Sequence, residues 1–132
     1  MTLESPHLQK PIAATPENIS EVIASLPQQK EGDRFAILTK NPQTYVQALW
    51  TADGFQLEYQ EGSIAEHYHC TREDLSAAEV SEVFRDYLAD DIFWKRRFHF
   101  ECRDLRTPSF RAGFWLGHLL GKIADVLGLR KV

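Results

Sequence analysis

From Phe55 to Gln60 apolar and polar residues take turns, with Phe55, Leu57 and Tyr59 set against Gln56, Glu58 and Gln60. A period of two puts the two sets on opposite faces of a strand. The same alternation recurs at His67 to Cys70, where Tyr68 and Cys70 oppose His67 and His69. It recurs again from Trp94 to Cys102, where Trp94, Phe98, Phe100 and Cys102 oppose Arg97, His99 and Glu101. Phe35 to Leu38 is a short apolar run, and Tyr45 to Thr51 reads as a strand beside it. Asn41-Pro42, Asp53-Gly54 and Glu61-Gly62-Ser63 supply turns between these runs, Asp-Gly being a strong hairpin signal. Five strands are predicted, four of them in an antiparallel meander.

Elsewhere the period lengthens to that of a helix. Thr15 can cap a helix with Pro16 at its first position, where a missing N–H costs nothing, and Ile19, Val22, Ile23 and Leu26 then share a face. Pro27 ends it. Ser76 and Glu79 form a capping box, with Leu75 and Val80 placed as a hydrophobic staple, and Val80, Val83, Phe84, Tyr87 and Leu88 form the inner stripe of a second helix. A third helix is expected from Phe110 to Leu129.

The expected fold is therefore α+β: a mostly antiparallel five-stranded sheet, in the order α-β-β-β-β-α-β-α, with helices packed on it. Residues 1–14, with two prolines and no periodicity, are expected to form a mobile N-terminal tail. Residues 15–102 are expected to form the domain and residues 103–132 a linker with the C-terminal helix. A chain of 132 residues has room for one core, and 43% hydrophobic with 26% charged residues is the balance of a soluble globular protein. The N-terminus shows neither a basic segment nor an apolar run, so a cytoplasmic location is expected, with Cys70 and Cys102 as reduced thiols.

The net charge of −4 is unevenly spread. Residues 1–91 hold 6 Lys/Arg against 16 Asp/Glu, and residues 92–132 hold 9 against 3. The two parts should attract each other, or one should face a charged partner. Glu79, Glu82, Asp86 and Asp90 follow a helical spacing on the outer face of the second helix, and offer either a solvated surface or a surface for a basic partner.

His67 and His69 share a strand face with Glu58, which makes the three a candidate metal site or the centre of a small enzyme or ligand-binding site. Glu66 and Cys70 point the other way, so Glu66, His67, His69 and Cys70 cannot converge on one ion from a strand. With Gln56 and Gln60 beside Glu58, the histidine face is expected to be a solvated sheet face. No nucleophile elbow, phosphate loop or dinucleotide fingerprint is present, and no cofactor is expected. Lys95-Arg96-Arg97 lies among aromatics, but these are expected to fill the core, so no nucleic-acid partner is expected.

Gly113, Gly117 and Gly121 fall four apart along the C-terminal helix, and Leu116 and Leu120 belong to its apolar arc. Each glycine costs about 1 kcal/mol of helix propensity relative to alanine, which suggests close approach of another backbone. Three readings stand: docking on the sheet face opposite the capped helix, self-association as a homodimer, or peripheral contact with a membrane. The uncharged run Ala112 to Gly121 is too short to span a bilayer, which needs about 20 residues.

The order of elements, together with Asp53-Gly54-Phe55, Glu58-Tyr59, Glu61-Gly62-Ser63, the stretch Leu75 to Leu88 and Phe98-His99-Phe100-Glu101, resembles small bacterial immunity-type proteins of polymorphic-toxin systems over residues 15–102. The glycine-striped tail departs from that pattern. The resemblance implies a non-enzymatic protein that occludes a protein partner through a surface, for which the acidic helix face is the candidate.

Overall fold

The computed structural model describes residues 1–106. Its strands are β1 (Thr2–Glu4), β2 (Ile12–Ala13), β3 (Phe35–Asn41), β4 (Thr44–Thr51), β5 (Gly54–Glu61), β6 (His67–Cys70) and β7 (Phe100–Cys102). Its α-helices are α1 (Pro16–Ser25), α2 (Ala77–Leu88) and the single turn α3 (Trp94–Arg97), and a 3-10 turn at Leu26–Gln28 follows α1. The strands form one sheet in the order β2-β1-β3-β4-β5-β6-β7, with every neighbouring pair antiparallel. The α+β class and the β3 to β6 meander match expectation, but the sheet has seven strands rather than five.

The two extra strands come from residues 1–14, which are not a tail outside the fold. Leu3 is fully buried opposite Leu38 of β3, and β2 folds back on β1 so that the Ala14 N–H bonds the Met1 carbonyl. Strands of three and two residues are too short to show a period, so only their packing reveals them. This hairpin delivers the chain to α1. There the Thr15 hydroxyl accepts the Asn18 N–H at 3.1 Å, the Asn18 side-chain oxygen accepts the Thr15 N–H at 2.9 Å, and the Asn18 amide donates to the Ala13 carbonyl.

The second correction lies in residues 94–102, expected to be one strand. Asp91 Oδ1 accepts the Phe93 N–H, and the Ile92 and Phe93 carbonyls then accept from Lys95 and Arg96, which winds Trp94–Arg97 into a turn before β7. Packing favours this. Trp94 becomes 1% exposed, edge-on to Tyr59 at 5.0 Å and to Phe100 at 5.7 Å.

All three helices lie on one face of the sheet. Ile19 and Ile23 of α1, Val80, Val83 and Phe84 of α2 and Trp94 of α3 form a single core with Leu3, Leu38, Val46, Ala48, Phe55, Leu57 and Tyr59. The α2 start is fixed to β5 by paired Phe55 and Leu75 backbones, at 2.8 and 3.2 Å. Gly54 makes this approach possible. It sits at φ +129°, and a Cβ there would lie 2.7 Å from Asp74 Cα. The Ser76 and Glu79 capping box then forms as the sequence predicts.

The opposite face corrects a third expectation. It is not solvated: Gln47, Gln60 and His67 have no exposed surface, and Phe35, Ile37, Tyr45 and Glu58 are at most 5% exposed. Phe35, Ile37 and Tyr45 are buried yet stand outside the helix-side core. The C-terminal helix and Gly113, Gly117, Gly121, Leu116 and Leu120 lie outside the described residues.

Candidate functional site

Strand register assembles the polar face. On β4 and β5, Tyr45 stands opposite Gln60 and Gln47 opposite Glu58; on β5 and β6, Gln60 stands opposite His67 and Glu58 opposite His69. Directly opposed side chains share a face at contact distance, so six polar residues form a compact array.

Hydrogen bonds order it. The Gln60 amide nitrogen lies 3.2 Å from the Gln43 backbone carbonyl oxygen and 3.0 Å from Gln43 Oε1. A backbone carbonyl can only accept, so the amide orientation of Gln60 is set and its Oε1 turns to the Tyr45 hydroxyl at 3.1 Å and to His67 Nδ1 at 3.2 Å. Both of those atoms must therefore donate. The other ring nitrogen, Nε2, lies 3.3 Å from Glu58 Oε2, which also accepts the Gln47 amide at 2.9 Å. Arg103 Nη1 approaches Glu58 Oε1 at 3.9 Å. Burial, followed by the nearby Glu58 charge, pushes the Tyr45 hydroxyl far above its ordinary pKa and keeps it a donor.

The sequence-predicted residues His67, His69 and Glu58 do share one face. Both nitrogens of His67 are directed at Gln60 and Glu58, and no group of three His, Cys, Asp or Glu among the described residues is placed to hold a metal ion. His69 differs from its neighbour. Its Nε2 lies 3.8 Å from Glu101 Oε2, its Nδ1 is buried without a hydrogen bond, and burial followed by the Arg103 charge lowers its pKa, which favours the neutral ring. Gln47 Oε1 is likewise buried and unbonded. Cys70 is a buried thiol, raised in pKa mainly by burial, whereas Cys102 is exposed rather than packed in the core.

Glu79, Glu82 and Asp86 lie on α2, whereas Asp90, expected on the same helix face, falls past its end at φ +60°; each of the four carries a cation. Glu79 pairs with Arg72 at 3.0 Å, Glu82 with Arg97 at 2.6 Å, Asp86 with Arg97 at 3.7 Å, and Asp90 with Lys40 at 3.0 Å. Burial, then repulsion from Asp91, raises the Asp86 carboxyl all the same. Of these cations only Arg97 comes from the basic part of the chain, which it joins to the acidic helix face.

Beyond the end of α2 lies a feature that periodicity did not show. A cleft of about 120 Å³ opens between Lys40, Tyr87, Asp90, Ile92, Trp94 and Lys95. Lys95 is paired with Glu61 and lies over the Tyr59 and Trp94 rings. The Tyr87 oxygen is buried there without a hydrogen bond, and burial pushes its pKa up to about 12. Ile92 and Phe93 are the large apolar residues left exposed among the described residues, at 60% and 57%. The signal in the sequence was the Asp90-Asp91 pair after the helix, which breaks it and begins a turn.

Comparison with protein-family models, with curated proteins and with solved structures finds no match to this chain.

Proposed function

We propose that this is a non-enzymatic protein-interaction domain, and that its contact surface is the Ile92-Phe93 loop with the cleft behind it. The carrying observation is the exposure of two adjacent large apolar side chains, whereas every other large hydrophobic among the described residues is at least partly buried. Such side chains beside a recess are the usual anchors of a protein contact, because covering them removes apolar area from water. The size of the recess supports a protein partner: about 120 Å³ takes one side chain, whereas small-molecule sites run to roughly 300–1,000 Å³. Lys40, Asp90 and Lys95 give it a charged rim.

The acidic face of α2 serves this reading less well than the loop does, since Glu79, Glu82 and Asp86 are already paired; Asp90 joins the surface as part of the rim. The buried array around His67 supports a non-catalytic reading too, because a catalytic group needs substrate access and a free proton site. The function is of the kind that the layout resemblance implied, occlusion of a partner, but it rests here on the surface alone. A cytoplasmic location and a homodimer belong to the same proposal. No helix among the described residues is long and apolar enough to cross a membrane.

The test is a photo-crosslinking side chain placed at Phe93 in the full chain, expressed in its native host, with the same group at the exposed Glu17 on α1 as control. One discrete adduct at position 93 and none at 17 is expected, and an adduct of twice the chain mass identifies a second copy. Identical patterns at both positions, or no adduct at 93, sink the proposal.

A further inference from the structure

We propose that the occupant of the Ile92-Phe93 surface is a second copy of this chain, docked about a two-fold axis so that Asp91 of each protomer meets Arg96 of the other. This rests on the contact surface proposed above and names its partner. Most charged residues from 90 to 97 are satisfied within the fold: Asp90 pairs with Lys40 at 3.0 Å, Lys95 with Glu61, and Arg97 with Glu82 and Asp86. Asp91 and Arg96 differ. Both are exposed, and neither has an opposite charge beside it among the described residues.

The local backbone sets these two charges on either side of the apolar pair. Asp91 Oδ1 accepts the Phe93 N–H at 2.9 Å, which shapes the turn and leaves the carboxylate charge unmatched. The Arg96 N–H bonds the Phe93 carbonyl at 2.9 Å, and the Lys95 N–H bonds the Ile92 carbonyl at 3.1 Å. Arg96 therefore follows Ile92 by four residues and Phe93 by three within one helical turn, a spacing that puts it on their side. Along the surface the order is an anion, two large apolar side chains, then a cation.

That order favours a second copy over a partner of uniform charge. A uniformly acidic or basic surface would satisfy one end and repel the other. A second copy turned about a two-fold axis presents the same order reversed, with the same spacing. Ile92 and Phe93 then cover their own counterparts, Asp91 lies against Arg96, and Arg96 lies against Asp91, because a two-fold interface is self-complementary. Neither residue has to give up an ion pair to do so. Covering the apolar pair supplies the attraction, and the two ion pairs fix the orientation. Two large side chains from each protomer make a small centre, so the dimer is a concentration-dependent one rather than an obligate one.

Sedimentation velocity on the full chain, across a micromolar concentration series, tests this. Wild type is expected to shift from monomer to dimer. Asp91→Lys and Arg96→Asp are each expected to raise the dissociation constant at least about tenfold, since each sets like charges at both contacts. An equimolar mixture of the two is expected to return to within about threefold of wild type, because the heterodimer again opposes unlike charges at both contacts. An interface elsewhere on the molecule gives no such recovery. Asp91→Asn keeps an acceptor for the Phe93 N–H and removes only the charge, so it covers the case in which Asp91→Lys misfolds; mixed with Arg96→Asp, it should associate more tightly than either variant alone. A wild-type chain that stays monomeric, a dimer indifferent to these substitutions, or weakened variants that do not recover on mixing overturns the proposal. A monomeric chain that still gives a Phe93 adduct with a different protein overturns the two-fold dimer alone and leaves the contact surface standing, whereas neither dimer nor adduct sinks both.

Discussion

Replacing His67 by Leu tests whether the buried Glu58–His67 contact holds the fold together. The His67 side chain has no exposure and that of Glu58 is 4% exposed, with 3.3 Å between Nε2 and Oε2. A buried hydrogen bond to a carboxyl group contributes roughly 1–3 kcal/mol. Most of that is cancelled by the cost of taking both groups out of water, so the pair contributes little net when intact. Breaking it is different. His67→Leu removes one polar contact of buried Glu58, which keeps the Gln47 amide at 2.9 Å, and is expected to cost about 3 kcal/mol. The loss at Gln60 is smaller, because its Oε1 keeps the Tyr45 hydroxyl.

Glu58→Leu is expected to cost a similar amount by stranding His67 Nε2. The double variant removes both polar groups and is expected to cost only about 1 kcal/mol, mainly through the Gln47 amide, rather than the roughly 6 of two independent changes, a coupling of about 5 kcal/mol. Urea unfolding followed by circular dichroism, with a common m value, reads all four corners of the cycle. Two single costs that add to within about 0.5 kcal/mol would refute the reasoning. It would mean that water or another group satisfies each residue separately and that the array is a set of independent polar side chains.

Gly54→Ala is expected to destabilise the fold by at least about 2 kcal/mol, since φ +129° disfavours any side chain and the new Cβ meets Asp74 backbone atoms at 2.7 and 2.8 Å. Amide exchange at Phe55 and Leu75 should accelerate with it, and unchanged exchange would show that the close approach carries no weight. Leu3→Ala, at a fully buried position in the N-terminal hairpin, is expected to cost about 2–5 kcal/mol in the same urea assay, whereas a cost below about 0.5 kcal/mol would mean β1 is not part of the cooperative unit. Ser76→Ala should cost about 1 kcal/mol by removing the α2 cap. The Glu79 carboxyl is held below its ordinary value of 4.5, first by the Ser76 N–H and also by Arg72, so its stabilising contribution is present above that value and is lost as pH falls through the folded-state value. Glu79→Gln should therefore flatten the decline in stability below about pH 5, and an unaltered acid limb would argue against the capping contribution.

The elements with long, regular patterns were legible, and those fixed by a few contacts were not. Both capped helices start where Thr15 and Ser76 place them, and the Asp53-Gly54 turn joins β4 to β5. The N-terminal hairpin escaped because three residues cannot display a period, and its evidence is the burial of Leu3. Residues 94–102 misled for a different reason. Their alternation is real only from Phe100 to Cys102, while Trp94 reaches the core from a helical turn, where edge contacts with Tyr59 and Phe100 outweigh strand geometry. The cleft beside Ile92 and Phe93 depends on how that turn meets α2 and the β3–β4 end, a tertiary arrangement with no local signature.

The polar face shows most clearly what alternation can and cannot tell. A period of two sorts side chains into two sets and says nothing about what lies over each, so Gln56, Glu58 and Gln60 invited the reading of a solvated surface. Register carried the missing information. Counting back from the Asp53-Gly54 turn puts Tyr45 opposite Gln60 and Gln47 opposite Glu58, and the next hairpin puts His67 opposite Gln60. Each pair joins a donor to an acceptor, and no lysine or arginine stands on this face between β3 and β6. A surface in water has no need of matched partners and usually carries long cations, whereas an interior cannot hold unmatched polar groups without a cost of about 1–3 kcal/mol each. Complementary pairs across the strands, with the cations absent, are what a buried polar array requires of its sequence. That requirement could be read from the order of the residues once the turns were placed.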